Sequence, residues 1–201
     1  MTAPVADPPS HSGRPRSVEA DRAIVAATVD LLAEEGYSGL SMEGVAHRAG
    51  VAKTTIYRRW PCKSDLVLHS LQCVADRSEL AVDTGTVHGD LVYFMRQMVD
   101  KLHRSEAGRI MPGLLVEMTR NPELAQAFRQ GFIEPRRALV VAALRRAVDR
   151  GEVRPEIDLD LVVDATVSVF QHRLMVTGMA IDDEMPDRLA ELLLRGMSPR
   201  P

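Results

Sequence analysis

From residue 18 onward nearly every apolar residue recurs at a 3.6-residue period, and a chain patterned this way buries its apolar stripes by packing helix on helix. No segment alternates at the two-residue period of a half-buried strand, and no hairpin dipeptide sits between apolar runs. The fold class is therefore all-α, with about nine helices. Ile24, Ala27, Thr28, Leu31 and Leu32 line one face of a first helix that stops at Gly36, a C′ glycine. Ser41 is suited to cap a short second helix, Met42 to Arg48, which stops near Gly50. A third helix runs from about Ala52 to Arg59 and is closed by Pro61; a fourth runs from Lys63 to about Val82, with Leu66, Val67, Ser70, Leu71 and Val74 inward.

A linker-like break at Asp83–Gly89 precedes a fifth helix, striped by Leu91, Phe94, Met95, Met98 and Leu102. A sixth covers Glu106 to Thr119 and is expected to be disturbed at Pro112-Gly113. Asn121-Pro122-Glu123 is a start signal for a long seventh helix that ends at Gly151. Within it, Pro135 removes the bond to the Gly131 carbonyl, which predicts a kink. Asp158 caps an eighth helix to about Met179, and Pro186 to Arg195 forms a ninth.

Composition decides which function classes stay open. Hydrophobic residues make up 45% and charged residues 26%, a globular rather than a disordered balance. The net charge of −3 excludes a chain that is basic throughout. A local patch is another matter. Between Ser41 and Lys63 the basic residues Arg48, Lys53, Arg58, Arg59 and Lys63 face the single acid Glu43, giving +4 across 23 residues and leaving −7 elsewhere. That asymmetry points to a polyanion site on one small module. No apolar run reaches the roughly 18 residues of a membrane span. The first 17 residues are rich in Pro, Ser and Gly, lack the apolar core of a secretory signal, and are expected not to pack. Cys62 and Cys73, if both lie on one helix, stand ~16 Å apart, beyond disulfide reach. The expected location is the cytoplasm.

Residues 41–60, SMEGVAHRAGVAKTTIYRRW, read as two short helices about a three-residue turn, Ala49-Gly50-Val51. Small Ala46 lets the second of the two cross closely, Gly50 can take a positive φ, and Val45 and Ile56 face inward to hold the crossing. These are the requirements of a helix-turn-helix, whose second helix enters the DNA major groove. Lys53, Thr54, Thr55, Tyr57, Arg58 and Arg59 on that helix are side chains able to reach bases or phosphates.

With those residues in view, the segment 19–73 resembles the DNA-binding region of the TetR family of bacterial transcription regulators. The resemblance is carried by AEEGYSGLSM at the end of the first helix and by VAHRAGVAKTTIYRRWPCKSDLV after it. Downstream, PGLLVEMTRNPELAQAF and RRAVDRGEVRPEIDLD resemble the C-terminal domain of many such regulators. The resemblance implies that Lys53, Thr54 and Thr55 meet base edges and the nearest phosphates, and that Tyr57 and Arg59 bind phosphate. Ser41 and Lys63 correspond to clamps on the DNA backbone, which also suits their places at helix N-termini. The sequence departs from the family in placing Cys62, a poor cap, before the fourth helix, and in giving the second helix Glu43 and Gly44 in place of a basic reader. The expected division is a basic, Pro-rich arm (1–17), a helix-turn-helix domain (18–65) and a ligand-binding and dimerisation domain (66–201). Gly13-Arg14-Pro15-Arg16 in the arm resembles segments that lay arginine into a narrow minor groove; a tolerated tail is the alternative.

Most of the Phe and Met residues of the chain fall after residue 90. As the resemblance implies, Phe94, Met98, Met111, Leu114, Met118, Phe128, Phe132 and Phe170 are candidate walls of an apolar pocket, with Met95 and Met175 in the same cluster; an ordinary helical core is the alternative for each residue singly. Asp160, Asp164, Ser168 and His172 recur every fourth residue on an otherwise apolar helix. A Ser-His-Asp arrangement is excluded, because Asp164 lies ~12 Å along the axis from His172. The stripe instead marks a dimer seam or a pocket rim, with His172 and Arg173 as candidate polar ligand contacts. His88 and His103 read as surface residues. No HExxH, no CxxC and no Gly-rich phosphate loop supports a metal, a cofactor or a catalytic site. The eighth and ninth helices (about 159–179 and 186–196) are expected to form a homodimer interface. The sequence thus points to a DNA-binding regulator, most simply a repressor released from an operator by a small, mostly apolar molecule. An effector-independent architectural DNA binder is the alternative, and no membrane partner is expected.

Overall fold

The computed structural model describes residues 15–74 and 83–199, and among these all regular structure is helical. The Gly13-Arg14 part of the arm and residues 75–82, expected to end the fourth helix, lie outside the described residues. Ten α-helices are described: α1 (Pro15–Gly39), α2 (Met42–Ala49), α3 (Lys53–Tyr57), α4 (Lys63–Val74), α5 (Val87–Arg104), α6 (Glu106–Met118), α7 (Pro122–Phe128), α8 (Glu134–Asp149), α9 (Leu159–His172) and α10 (Met185–Met197). Two π-helical turns extend them, Arg129–Ile133 between α7 and α8 and Arg173–Thr177 after α9.

Local signals set most of the ends. Gly36 takes φ +70° and stops the regular helix of α1, with one further turn to Gly39. Ser41, Thr86, Asn121 and Asp158 each accept a backbone N–H from the third residue onward, the N-cap bond expected of such residues. Thr86 shortens the expected break to residues 83–86, because Val87 to Gly89 already belong to α5. Pro112 does not break α6, which is helical on both sides of it. A proline removes one donor, and here the neighbouring turns carry the helix across.

The expected seventh helix is two helices with a π-turn between them. Pro135 has no N–H to offer the Gly131 carbonyl. The ladder adjusts just upstream, where the Glu134 N–H reaches five residues back to the Arg129 carbonyl. The Gly131 carbonyl is taken up from outside: Gln72 Nε2 on α4 donates to it at 2.6 Å. A Cβ at Gly131 would lie 2.4 Å from Leu68 Cδ2 on α4, so a side chain there requires Leu68 to shift. The π-turn is therefore keyed directly to α4.

Packing sorts the buried residues into two clusters that do not coincide with the expected division at residue 65. The first joins α1–α4 to α6 and α7, through Leu66, Val67 and Leu71 on one side and Ile110, Leu114, Leu124 and Phe128 on the other. The second is built from α5, α8, α9 and α10 around Met95, Leu144, Phe170 and Ala190. Buried hydroxyls are satisfied within their own helices: Thr28, Ser70 and Thr166 each donate to the carbonyl four residues back, at 2.7, 2.8 and 2.8 Å. A helical core of this kind leaves few polar groups to find partners elsewhere.

Candidate functional site

Two features stand out, an exposed short helix at one end of the molecule and a cavity where the two clusters meet. The short helix is α3. Gly50, at φ +66° and ψ 31°, ends α2 in a left-handed conformation. Its N–H donates to the His47 carbonyl at 3.2 Å and the Val51 N–H to the Ala46 carbonyl at 3.0 Å, a paired closure that turns the chain sharply. The turn is Gly50-Val51-Ala52, one residue later than expected, because Ala49 is still helical and Ala52 occupies the N-cap position of α3. The helix itself is shorter than expected; Arg58 and Arg59 follow it as turn residues whose N–H groups bond to Thr54 and Ile56. Val45 and Ile56 are both fully buried and hold α2 against α3, with Ala46 at the crossing.

Burying Ile56 turns the rest of α3 outward. Lys53, Thr54, Tyr57 and Arg58 are exposed, and Thr55 is half-buried. Ser41 stands exposed at the start of α2, its Oγ accepting the Gly44 N–H at 3.0 Å. Three of the basic side chains around this surface are paired with acids. Lys53 Nζ lies 3.2 Å from Glu43 Oε1, Arg48 pairs with Glu34 at 2.7 Å, and Arg59 pairs with Asp21 on α1. Glu43 is held below the usual carboxylate range by its own backbone N–H first, then by Lys53 and the Tyr57 hydroxyl. Glu43 was thus more than the absence of a basic reader: it organises two α3 side chains. No local sequence signal reveals this, because the pair spans ten residues across the turn.

Lys63 is oriented differently from the expected clamp on DNA. Its ammonium donates to the carbonyls of Tyr37 and Leu40 at 2.8 and 3.1 Å and lies 4.2 Å from the centre of the Tyr37 ring. Burial pushes the Lys63 ammonium below the usual lysine range and raises the Tyr37 hydroxyl to about 12, with Cys62, Glu117 and Glu123 adding to the latter. Lys63 therefore ties α4 to the end of α1. Cys62, before it, lies 3.0 Å from Ser64 through its sulfur.

The cavity has a volume of about 370 Å³, within the range of small-molecule sites. Phe94, Met98 and Leu102 of α5 form one side, and Met111 and Leu115 of α6 another. Phe128 and Phe132 come from α7 and the π-turn, stacked on each other at 4.7 Å. Val163, Val167 and Phe170 of α9 complete it, with Leu174 and Met175 from the turn beyond. Six of the expected pocket residues are here: Phe94, Met98, Met111, Phe128, Phe132 and Phe170. Four line other surroundings. Leu114 and Met118 face the first cluster, on the side of α6 that points to the head. His172 is exposed, and Arg173 donates to the Ala180 carbonyl.

Of the polar wall residues, Asp164 and Ser168 belong to the stripe expected at a dimer seam or pocket rim; the others were not evident in the sequence. Gln97, Lys101, Arg136, Arg137, Asp164, Ser168 and Gln171 line the cavity with the apolar residues. Arg137 of α8 reaches across to α9, where Nε meets Asp160 Oδ1 at 2.9 Å, one NH₂ group meets the Asp160 carbonyl at 2.8 Å, and the other pairs with Asp164. Asp164 and Ser168 of the stripe thus lie on the cavity wall, and Asp160 and Asp164 form the α8–α9 seam through Arg137. Outside it, Leu161 on α9, Val176 on the π-turn after α9 and Leu192 on α10 are 63, 71 and 68% exposed, leaving apolar surface uncovered in a single chain.

An exposed helix set by a tight turn on a three-helix scaffold, joined to a helical body with an apolar cavity, defines a helix-turn-helix DNA-binding regulator. The comparisons give the family. Residues 24–69 match the family of bacterial regulatory proteins described as the tetR family, and residues 81–193 match the tetracyclin repressor-like C-terminal domain. The chain belongs to the TetR family of transcription regulators. It is 32% identical over 173 residues to the DNA-binding transcriptional repressor TetR of Mycobacteroides abscessus, covering 86% of this chain and 90% of that one. The crystal structure of the TetR family transcription regulator SCO0332 superposes with a TM-score of 0.73 at 34% identity, covering 90% of this chain and all (100%) of that one. The transcriptional regulator FadR from Bacillus subtilis, solved in complex with stearoyl-CoA, shares the fold with a TM-score of 0.71 at 19% identity, over 87% of this chain and 98% of that one. Among the described residues no helix is long and apolar enough to cross a membrane, and no cluster of His, Cys, Asp and Glu is placed to hold a metal ion.

Proposed function

We propose that this regulator is a repressor that leaves its operator when a small, mostly apolar molecule fills the cavity. The observation that carries this is the position of the cavity, at the seam of the two buried clusters, with Phe128 from the first and Phe170 from the second on its wall. A ligand there touches both halves at once. The π-turn that presents Phe132 and Ile133 to the cavity is the same segment whose Gly131 carbonyl is bonded to Gln72 on α4. Helix α4 in turn belongs to the head core through Leu66, Val67 and Leu71. A ligand that binds the released arrangement better than the DNA-bound one by a few kcal/mol shifts the equilibrium, and DNA must weaken ligand binding by the same factor. The FadR complex and the repressor from Mycobacteroides abscessus support a ligand-bound regulator and the repressor sign, respectively. An architectural binder without effector has no use for such a cavity.

On DNA, Lys53, Thr54 and Thr55 are assigned to base edges and adjacent phosphates, and Tyr57, Arg58 and Ser41 to the backbone. Arg59 takes part once Asp21 yields it. Lys63 is assigned an indirect role, holding α4, whose first-turn N–H groups are suited to a phosphate. The uncovered apolar surface of α9, its π-turn and α10 is assigned to a second copy, so that two heads engage two half-sites. The test is fluorescence anisotropy on the DNA immediately upstream of the coding sequence, with a random duplex as control and salt varied. A specific regulator binds the former about 10³-fold or more tightly. Equal affinities with only a steep salt slope would overturn the reading.

A further inference from the structure

We infer that Glu43 reads DNA alongside Lys53, the two side chains together taking the major-groove edge of one G·C base pair. The inference rests on the reading of α3 as the base-contacting helix, and adds a second reading residue and the base pair it selects. Glu43 is the one acid on α2 and α3. The acids that pair with the other head cations, Glu34 and Asp21, lie behind on α1. Glu43 is exposed, and its carboxylate is held by two side chains of α3. Lys53 Nζ donates to Oε1 at 3.2 Å, and the Tyr57 hydroxyl bonds to the same carboxylate. A cation and an anion thus stand side by side on the surface that faces the groove.

A carboxylate brought up to DNA is repelled by the phosphates, and the base edges of the major groove offer it two kinds of donor, N4 of cytosine and N6 of adenine. The Lys53 ammonium has three N–H donors; one goes to Glu43 and two remain for acceptors. In a G·C pair guanine O6 and cytosine N4 are hydrogen-bonded to each other and so stand ~3 Å apart, which matches the 3.2 Å between Lys53 Nζ and Glu43 Oε1. Lys53 then donates to O6 and N7 of the guanine while Glu43 accepts from N4 of the cytosine. An A·T pair fits less well. Its donor, N6, lies between two acceptors, adenine N7 and thymine O4, so a carboxylate on N6 always faces an acceptor that Lys53 does not cover. That repulsion, as much as the attraction to G·C, gives the discrimination. Val45 and Ile56, fully buried between α2 and α3, fix the order in which the two charges meet the groove, and with it the strand that carries the guanine.

The experiment uses the full-length protein and two variants at exposed positions, Glu43→Ala and Lys53→Met, each first shown to melt cooperatively near the parent temperature. All three are used to select duplexes from a random pool, and the selected duplex is then titrated by anisotropy. The expected result is a G·C pair enriched by the parent at a position where both variants lose the preference. Methylating N4 of that cytosine, which fills the groove-side donor, should weaken the parent at least tenfold and leave Glu43→Ala indifferent. On a random duplex Glu43→Ala should bind no more weakly than the parent, because an acid has left a surface that faces phosphates. A G·C preference retained by Glu43→Ala, an A·T pair at the position the variants share, or a parent indifferent to the N4 methyl group would overturn the inference while leaving the DNA-binding reading intact. Equal weakening of Glu43→Ala on all duplexes would overturn it too, since Glu43 would then only support Lys53. Enrichment of no sequence by the parent would overturn both.

Discussion

In the head, Val45 and Ile56 meet with no exposed surface and Leu66, Val67 and Leu71 seal the floor beneath them, whereas around the cavity Met98, Met111 and Phe132 are only partly covered. Both regions are made of short amphipathic helices, and they differ in how far the packing closes. On the proposed function a reading head holds Lys53 and Thr54 in one register, which a filled core provides. A cavity has to leave room for something that is not protein. The difference teaches that the unfilled volume lies at the seam between two closed clusters, where filling it bears on both.

The sharpest way to break that comparison is to cut equivalent side chains on each side. Ile56→Ala, which opens a void in a filled core, is expected to cost roughly 2–5 kcal/mol of unfolding free energy in urea titration and to abolish sequence-specific binding. Met98→Ala, on a wall that already borders empty volume, should cost less than about 1 kcal/mol, because the cavity term is mostly present beforehand. Equal costs would mean that the cavity wall is as tightly packed as the head.

Next in size is a pH effect confined to the joint between α1 and α4. Burial raises the Tyr37 hydroxyl from its ordinary 10.0 to about 12. The folded state therefore favours the protonated phenol. That stabilisation is whole below pH 10.0 and is lost as pH rises through about 12. A loss of roughly 2–3 kcal/mol across that window is expected, and Tyr37→Phe should flatten it. An alkaline limb unchanged in Tyr37→Phe would assign the effect elsewhere.

The smaller effects belong to the DNA surface. Lys53→Ala is expected to cost about 1–3 kcal/mol on the operator and to relax discrimination at the contacted base pair, read by anisotropy on single-substitution duplexes. Uniform weakening across all duplexes would make Lys53 a phosphate contact. Its partner sharpens the point: Glu43→Gln releases Lys53 and should lower discrimination more than affinity.

The two regions also differed in how legible they were in the sequence. The head announces itself through local chemistry. Ser41 as cap, Gly50 as the left-handed closure and the inward pair Val45 and Ile56 need no tertiary information, and each stands where expected apart from a one-residue shift of the turn. The cavity depends on how helices dock. Helix α6 is apolar on two faces, and docking alone assigns Ile110 and Leu114 to the head and Leu115 to the cavity, with Met111 shared between them. Proline arithmetic at Pro135 located the disturbance but not its form, since a kink and a π-turn both relieve the missing donor. Lys101, Arg136 and Arg137 are indistinguishable in the sequence from ordinary solvent-facing charges. The ion pairs of Arg59 with Asp21 and Lys53 with Glu43 join different helices, which periodicity does not register.

The most direct test fills the cavity with protein. Leu115→Trp places an indole into it from α6, and the fluorescence of a second indole beside Trp60 reports whether it is seated away from water. The expected result is an indole emission shifted to the blue, a melting temperature no lower than that of the parent chain, and operator affinity reduced at least tenfold with random-duplex affinity unchanged. A seated indole with unaltered operator affinity would contradict the coupling of cavity to head.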